Sequence, residues 1–340
     1  MIFSFNKNIT EDISIDGVLG ANYMNHKYHF MYLSASELTV PNLYTITNVR
    51  GNASSSMTDR EYESNSVFGS ANFSYKHWLF LDFTARNDWS STLPEDNWSY
   101  FYPSVGGSFI FTNAFGLESD ILSYGKIRAG WAQVGNATSP YQLLATYGAS
   151  SDPFNGVAQY YYSRTLPPIG LEPEKTATME LGVNLKFLNN RFGIDATYYD
   201  KVTKNQILAV DIAPSSGFNS MLLNAGEIEN KGIELLLTGD ILKSKSGLNW
   251  NMTINWAKND NKVNELYGDL ESYQISSSWG GLTIEARPGE EFGVIRAAGY
   301  VRDDAGNIVV GEDGLPMATP DPIEIGCITP DWTGGIRNSF

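Results

Sequence analysis

The stretch LNAGEIENKGIELLLTGD, residues Leu223–Asp240, poses the question on which the rest of the reading turns. A turn-like head, NAGEIENKG, leads straight into IELLLTGD. Successive side chains of a strand point to opposite faces. Ile233, Leu235 and Leu237 therefore share one face, and Glu234 and Thr238 take the other. Leu236 breaks strict alternation and is expected on the polar side. The apolar face could be half of a soluble sandwich core, or it could lie against lipid.

The same period of two runs through the chain. In LNWNMTINWAKND, Leu248, Trp250, Met252, Ile254 and Trp256 alternate with Asn249, Asn251, Thr253 and Asn255. EKTATMELGVNLKF sets Ala177, Met179, Leu181, Val183, Leu185 and Phe187 against Thr176, Thr178, Glu180, Asn184 and Lys186. RFGIDATYYD and SVFGSANFSYKHW repeat the pattern. About ten or eleven strands of about 9–14 residues each result, longer than the usual five or six of a soluble sheet. Such lengths suit strands crossing a bilayer at a tilt.

The connections alternate as well. Residues 6–12, 76–78, 113–124, 188–191 and 242–247 read as short links, and 25–61, 89–100, 137–173, 204–226 and 262–331 as long ones. An up-and-down sheet puts every second connection at the same end, and membrane barrels have short turns on one side and long loops on the other. Tyr75, Trp78, Tyr198, Tyr199, Trp250 and Trp256 fall near strand ends, where barrel girdles place aromatic rings. Ordinary β-propensity would also enrich them there. The expected fold is thus all-β, an antiparallel transmembrane barrel portion with long loops on one side.

Composition narrows the function. The chain has 340 residues, 42% of them hydrophobic, and a net charge of -15. An acidic chain lacks the cations that nucleic-acid binding requires, so no nucleic-acid partner is expected. A single cysteine, Cys327, allows no intrachain disulfide. The start lacks the charged and apolar regions of a signal peptide. No apolar run is long enough for a transmembrane helix, an absence that says nothing about a barrel.

The three histidines are His26, His29 and His77. In a strand the first two point to opposite faces, and no third ligand is near, so no metal or other cofactor is expected. Catalytic and nucleotide-binding signatures are missing, and an enzyme is not expected. Glu290–Glu291 and Asp303–Asp304 read as solvated loop charge. YVRDDAGNIVVGEDGLP, residues 300–316, reads as a small hairpin. The long connections carry Trp98, Tyr100, Tyr160, Tyr161, Tyr162, Tyr273 and Trp279 as candidate ligand-binding rings. Such rings can stack on a ligand or pack loops together, and both readings stay open.

Several stretches together resemble one family, the SusC/RagA-type TonB-dependent outer-membrane transporters. ENKGIELLL (229–237) looks like that family's N-K-G-x-E strand start. RNDWSS (86–91) and YPSVGGSF (102–109) resemble its R-x-D-x-S-S and F-P-S segments, with Tyr102 where Phe is usual and Asn87–Asp88 at the acidic turn. KIRAGWAQVGN (126–136), LEPEKTATMELGVNLKFLNNRFGIDATYYDKVTKNQIL (171–208) and ITPDWTGGIRNSF (328–340) resemble three further motifs in family order, with Ile127 for Leu and Ala132 for Gly.

The resemblance implies an active importer in the bacterial outer membrane, its cargo an oligosaccharide or a peptide. Implied partners are a SusD-like surface lipoprotein, and TonB acting through a plug. The family barrel has about 22 strands. Residues 1–340 are therefore expected to be part of its barrel domain, an internal fragment or incomplete gene model without plug, TonB box or last strands. Residues 262–331 would be a long extracellular insertion. The alternatives are a soluble or surface β-rich glycan-binding protein and a passive porin-like barrel.

Overall fold

The computed structural model describes residues 1–150, 154–278 and 280–340. Eleven strands form one antiparallel sheet, each paired with its neighbours in sequence order. They are β1 (Ile2–Asn8), β2 (Ile13–Ser34), β3 (Ser54–Tyr75), β4 (Leu79–Ser90), β5 (Ser99–Ile110) and β6 (Leu122–Asn136). After a long excursion come β7 (Glu174–Phe187), β8 (Phe192–Lys204), β9 (Gly226–Leu242), β10 (Trp250–Leu266) and β11 (Thr333–Ser339).

The register keeps side chains of like character in rows across the sheet. One row runs Ile15, Phe73, Leu81, Gly107, Ala129, Leu181, Tyr198, Ile233. The adjacent row on the opposite face runs Asp16, Asn72, Asp82, Gly106, Gly130, Glu180, Tyr199, Gly232, Asn259. A soluble sandwich would cover the first row with a second sheet. Instead Ile127, Leu181 and Ile233 stay 49%, 48% and 49% exposed in the isolated chain. On β2 the apolar face extends from Ile13 to Tyr23 and then gives way to Asn25 and Lys27. That length matches the roughly 9–11 residues with which a tilted strand crosses a bilayer. Leu236 pairs with Asp195 and Asn255 on the polar face, as alternation requires.

Buried apolar residues gather where the long connections leave the wall strands. Leu93, Leu171 and Leu222 form one cluster, with Tyr100, Ala137, Leu143 and Ile207 against it. Val263, Leu266 and Ala286 form a second, covered by Leu270, Tyr273 and Phe292. Three small sheets stand at this end. One joins Tyr147–Ala149 to Tyr160–Tyr162, another joins Ile207–Asp211, Ser220–Asn224 and Thr165–Leu166. The third, between β10 and β11, has Tyr273–Ser278, Leu282–Ala286, Val294–Ala297 and Ile323–Cys327.

The opposite end carries tight links. Lys76 and His77 take left-handed φ of 47° and 60° between β3 and β4, and Leu188, Asn189 and Asn190 do the same between β7 and β8. Tyr75, Trp78, Phe109 and Phe115 make an edge-on aromatic chain there, with centroids 5.1, 5.5 and 5.8 Å apart. Trp250 stacks on Phe340 at 5.9 Å. A ring of amphipathic aromatics is what a membrane interface favours.

Three sequence expectations need correction. Residues 25–61 are not one loop, because β2 continues to Ser34 and β3 begins at Ser54. Asn87 and Asp88 lie within β4 rather than in a turn. Tyr199 belongs to the polar face, where its hydroxyl donates to Asn259 Oδ1 at 2.9 Å, and so is not a girdle ring.

Candidate functional site

The polar face is held by bonds that cross from strand to strand. Arg86 and Asp88 are two residues apart on β4 and so share a face. Arg86 Nε donates to Asp88 Oδ1 at 2.7 Å and Nη2 to Ser66 Oγ at 2.8 Å. Asp88 also accepts from the Tyr102 hydroxyl. A Phe at position 102 would offer no such donor.

A second knot lies farther along the sheet. Arg128 Nη2 donates to Asp195 Oδ1 at 2.7 Å and to Thr197 Oγ1 at 2.5 Å. Asn184 Nδ2 donates to Asp195 Oδ2 at 2.6 Å. Arg128 stands on β6 and Asp195 on β8, so the guanidinium must pass over β7. It does so at Gly182, where an added Cβ would lie 2.5 Å from Arg128 Nε. The same device recurs one strand pair on. Tyr199 of β8 reaches Asn259 of β10 across Gly232 of β9, where a Cβ would meet Tyr199 Cζ at 2.5 Å. Glycine is needed at both positions because no side chain fits beneath the crossing group. With Asn72 donating to Asp16 at 2.8 Å, these bonds leave a polar face that suits water on the inside of a barrel.

The long connections and the upper halves of β2 and β3 cluster at the other end. Trp98 follows the 3-10 turn Glu95–Asn97 and is exposed. Tyr100 lies on β5, stacked on Tyr102 at 5.9 Å, and packs against the Leu93–Leu171–Leu222 cluster. Tyr160, Tyr161 and Tyr162 form an exposed strand, with Tyr162 at 5.2 Å from Tyr147 and 5.7 Å from Phe218. Tyr273 packs on the Val263–Leu266–Ala286 cluster. Trp279 lies outside the described residues. The candidate rings thus fall in three separate places, and Tyr100 and Tyr273 serve as packing.

Residues that the sequence reading passed over stand on the β2–β3 hairpin. β4 pairs with β3 only from Ser64 onward, so β2 and β3 run on as a two-stranded ribbon. One of its faces carries His26, Tyr28, Phe30, Tyr32 and Tyr62. Rings alternate there with residues whose ion pairs appear only when the two strands are paired, and both faces are wet, so the stretch reads as a polar loop.

The wall, its two faces and its sorted connections match known proteins. The family model described as TonB dependent receptor-like, beta-barrel matches residues 2–325. TonB-dependent receptor P26 of Formosa agariphila is 28% identical over 298 residues, covering 81% of this chain and 30% of that protein. TonB-dependent receptor SusC of Bacteroides thetaiotaomicron is 32% identical over 221 residues, covering 61% of this chain and 21% of that protein. The chain therefore spans less than a third of the length of these relatives. The structure of the RagAB peptide transporter superposes with a TM-score of 0.79 at 23% identity, over 98% of this chain and 38% of that one, a likeness of fold. The chain belongs to the TonB-dependent receptor-like β-barrel family, whose members are transporters rather than enzymes, and it forms wall and loops of an integral outer-membrane barrel.

Proposed function

We propose that the protein serves active import of an oligosaccharide or peptide across the outer membrane, this chain supplying barrel wall and outward loops. The carrying observation is a wall that is apolar on one face and ion-paired on the other, with its long connections gathered at one end. Short turns face the periplasm in such barrels, so the long connections would meet cargo outside. The names of two relatives support the reading, one a SusC and one a peptide transporter with two parts, RagAB. A SusD-like lipoprotein would cover the outward loops, and TonB would act through a plug held against the polar face. Of the candidate rings of the long connections, Trp98, Tyr160, Tyr161 and Tyr162 are exposed and would touch cargo.

The test is uptake of labelled oligosaccharide and peptide pools by three strains: the parent, one lacking this gene, and one lacking TonB. Loss of uptake of the same cargo in both deletion strains is expected. Uptake that survives without TonB but not without this gene would mean a passive pore. Unchanged uptake without this gene would overturn the importer reading.

A further inference from the structure

The ribbon formed by β2 and β3 sorts its residues by face more sharply than its exposure demands. The pairing from Ile13–Tyr75 to Ser34–Ser54 has no shift in register, so each face of the ribbon continues one face of the barrel wall. The face continuous with lipid carries every acidic residue of the ribbon: Asp59, Glu61 and Glu63. All three are engaged. His29 Nδ1 lies 2.5 Å from Asp59, and Lys27 Nζ lies 2.8 Å from Glu61. The Tyr23 hydroxyl donates to Glu63 at 3.0 Å.

The face continuous with the polar wall is different. On β2 it presents Met24, His26, Tyr28, Phe30 and Tyr32, and on β3 it presents Ser64, Tyr62, Arg60, Thr58 and Ser56. A column of rings thus stands beside a column mostly of hydroxyls. Same-face residues along a strand are about 7 Å apart. His26 lies over Tyr62 at 5.1 Å, and Tyr28 is nearly parallel to Phe30 at 6.2 Å. His26, Tyr28, Thr58, Arg60, Tyr62 and Pro140 line a hollow of about 300 Å³. The segment holding Pro140 is pinned to the ribbon, because Glu61 N–H donates to the Tyr141 hydroxyl at 2.9 Å.

Arg60 is the one Lys, Arg, Asp or Glu on this face of the ribbon. Its exposed guanidinium has neither an ion-pair nor a hydrogen-bond partner among the described residues. In a chain of net charge -15, a cation left unpaired beside aromatic faces and hydroxyls is a specific arrangement. A guanidinium binds a carboxylate or sulfate with two parallel hydrogen bonds. Aromatic faces accept the apolar side of a pyranose ring, and flanking hydroxyls bond its own hydroxyls.

We infer that this face of the β2–β3 ribbon is a subsite for an anionic oligosaccharide, with Arg60 on the acid group and Tyr28 and Tyr62 stacked on sugar rings. The inference rests on the importer reading and narrows its cargo. Carboxylated and sulfated sugars share the recognised chemistry.

Calorimetry on the protein purified from outer membranes in detergent tests it, with four probes. These are oligogalacturonate, a sulfated carrageenan oligosaccharide, neutral maltotetraose and tetraglutamate. One or both acidic sugars are expected to bind, and whichever binds names the anion. Arg60→Gln should weaken that binding by about tenfold or more and leave neutral sugar unaffected. Tyr62→Ala should weaken it roughly fivefold. The ribbon stands outside the barrel wall, and unchanged heat-modifiable gel mobility verifies that each variant is folded. Equal binding by neutral and acidic sugars, no effect of Arg60→Gln, tetraglutamate binding as tightly as the sugars, or no binding at all would each overturn the subsite. If TonB-dependent uptake persists in cells while Arg60→Gln changes nothing, the subsite fails and the importer stands. If Arg60-dependent binding is found without any TonB-dependent uptake, the importer fails and the subsite stands.

Discussion

Leu181→Arg should strongly impair the barrel, whereas Leu236→Arg, on the opposite face of the wall, should be tolerated. Leu181 sits in the apolar row with Ala129, Tyr198 and Ile233, and nearly half of its surface is open. In a soluble protein an exposed leucine can become arginine at little cost. In a bilayer the guanidinium must be dragged into hydrocarbon, at about 2–4 kcal/mol near the midplane. Leu236 faces the polar side, where its cross-strand partners are Asp195 and Asn255. An arginine there meets water and the Asp195 carboxylate. Urea unfolding in lipid vesicles would show a stability loss of that order for Leu181→Arg and a much smaller one for Leu236→Arg. Equal losses would mean that the two faces meet the same medium.

The second large effect is expected at Gly232. An alanine Cβ there would lie 2.5 Å from the Lys258 carbonyl oxygen and 2.5 Å from Tyr199 Cζ. The carbonyl belongs to the ladder between β9 and β10 and cannot turn aside without breaking pairing. Overpacking of this kind costs about 1–3 kcal/mol. The Tyr199–Asn259 hydrogen bond would be lost as well, adding about 1 kcal/mol. Gly232→Ala should therefore lower stability by several kcal/mol. Tyr199→Phe, which removes only the hydroxyl, should cost about 1 kcal/mol. The pair of urea midpoints separates crowding from bonding. A Gly232→Ala loss no larger than that of Tyr199→Phe would show that the crossing is not tight.

Much of the wall was legible because alternation is a local property. Ile233, Leu235 and Leu237 declare one face of β9, and even the misfit Leu236 is placed correctly by counting. The sorted short and long links follow from the same counting. The ribbon was not legible, because its alternation sets rings against ion pairs and both look polar enough for a loop. Lys27–Glu61 and His29–Asp59 become meaningful only when β3 is laid beside β2 in register. Tyr199 reads as an interface ring by type and position, although alternation along RFGIDATYYD already sets it opposite Tyr198, on the polar face where it stands. Gly182 and Gly232 appeared as letters of motifs. Their reason lies on strands far away in sequence, where Arg128 and Tyr199 need a gap to cross. Tyr100 and Tyr273 show the same limit, since a ring in a connection gives no sign of the cluster it will pack upon.

The claim that one face meets lipid and the other water is tested most directly by a cysteine scan of β8. Single cysteines replace Phe192 to Tyr199 in turn, in a Cys327→Ser background, and carry nitroxide labels in reconstituted membranes. Collisions with oxygen report lipid, and collisions with a water-soluble nickel chelate report water. Oxygen access should peak at Phe192, Ile194, Ala196 and Tyr198, and nickel access at Gly193, Asp195, Thr197 and Tyr199. Uniform nickel access at all eight positions would contradict the account, and so would an alternation of opposite phase.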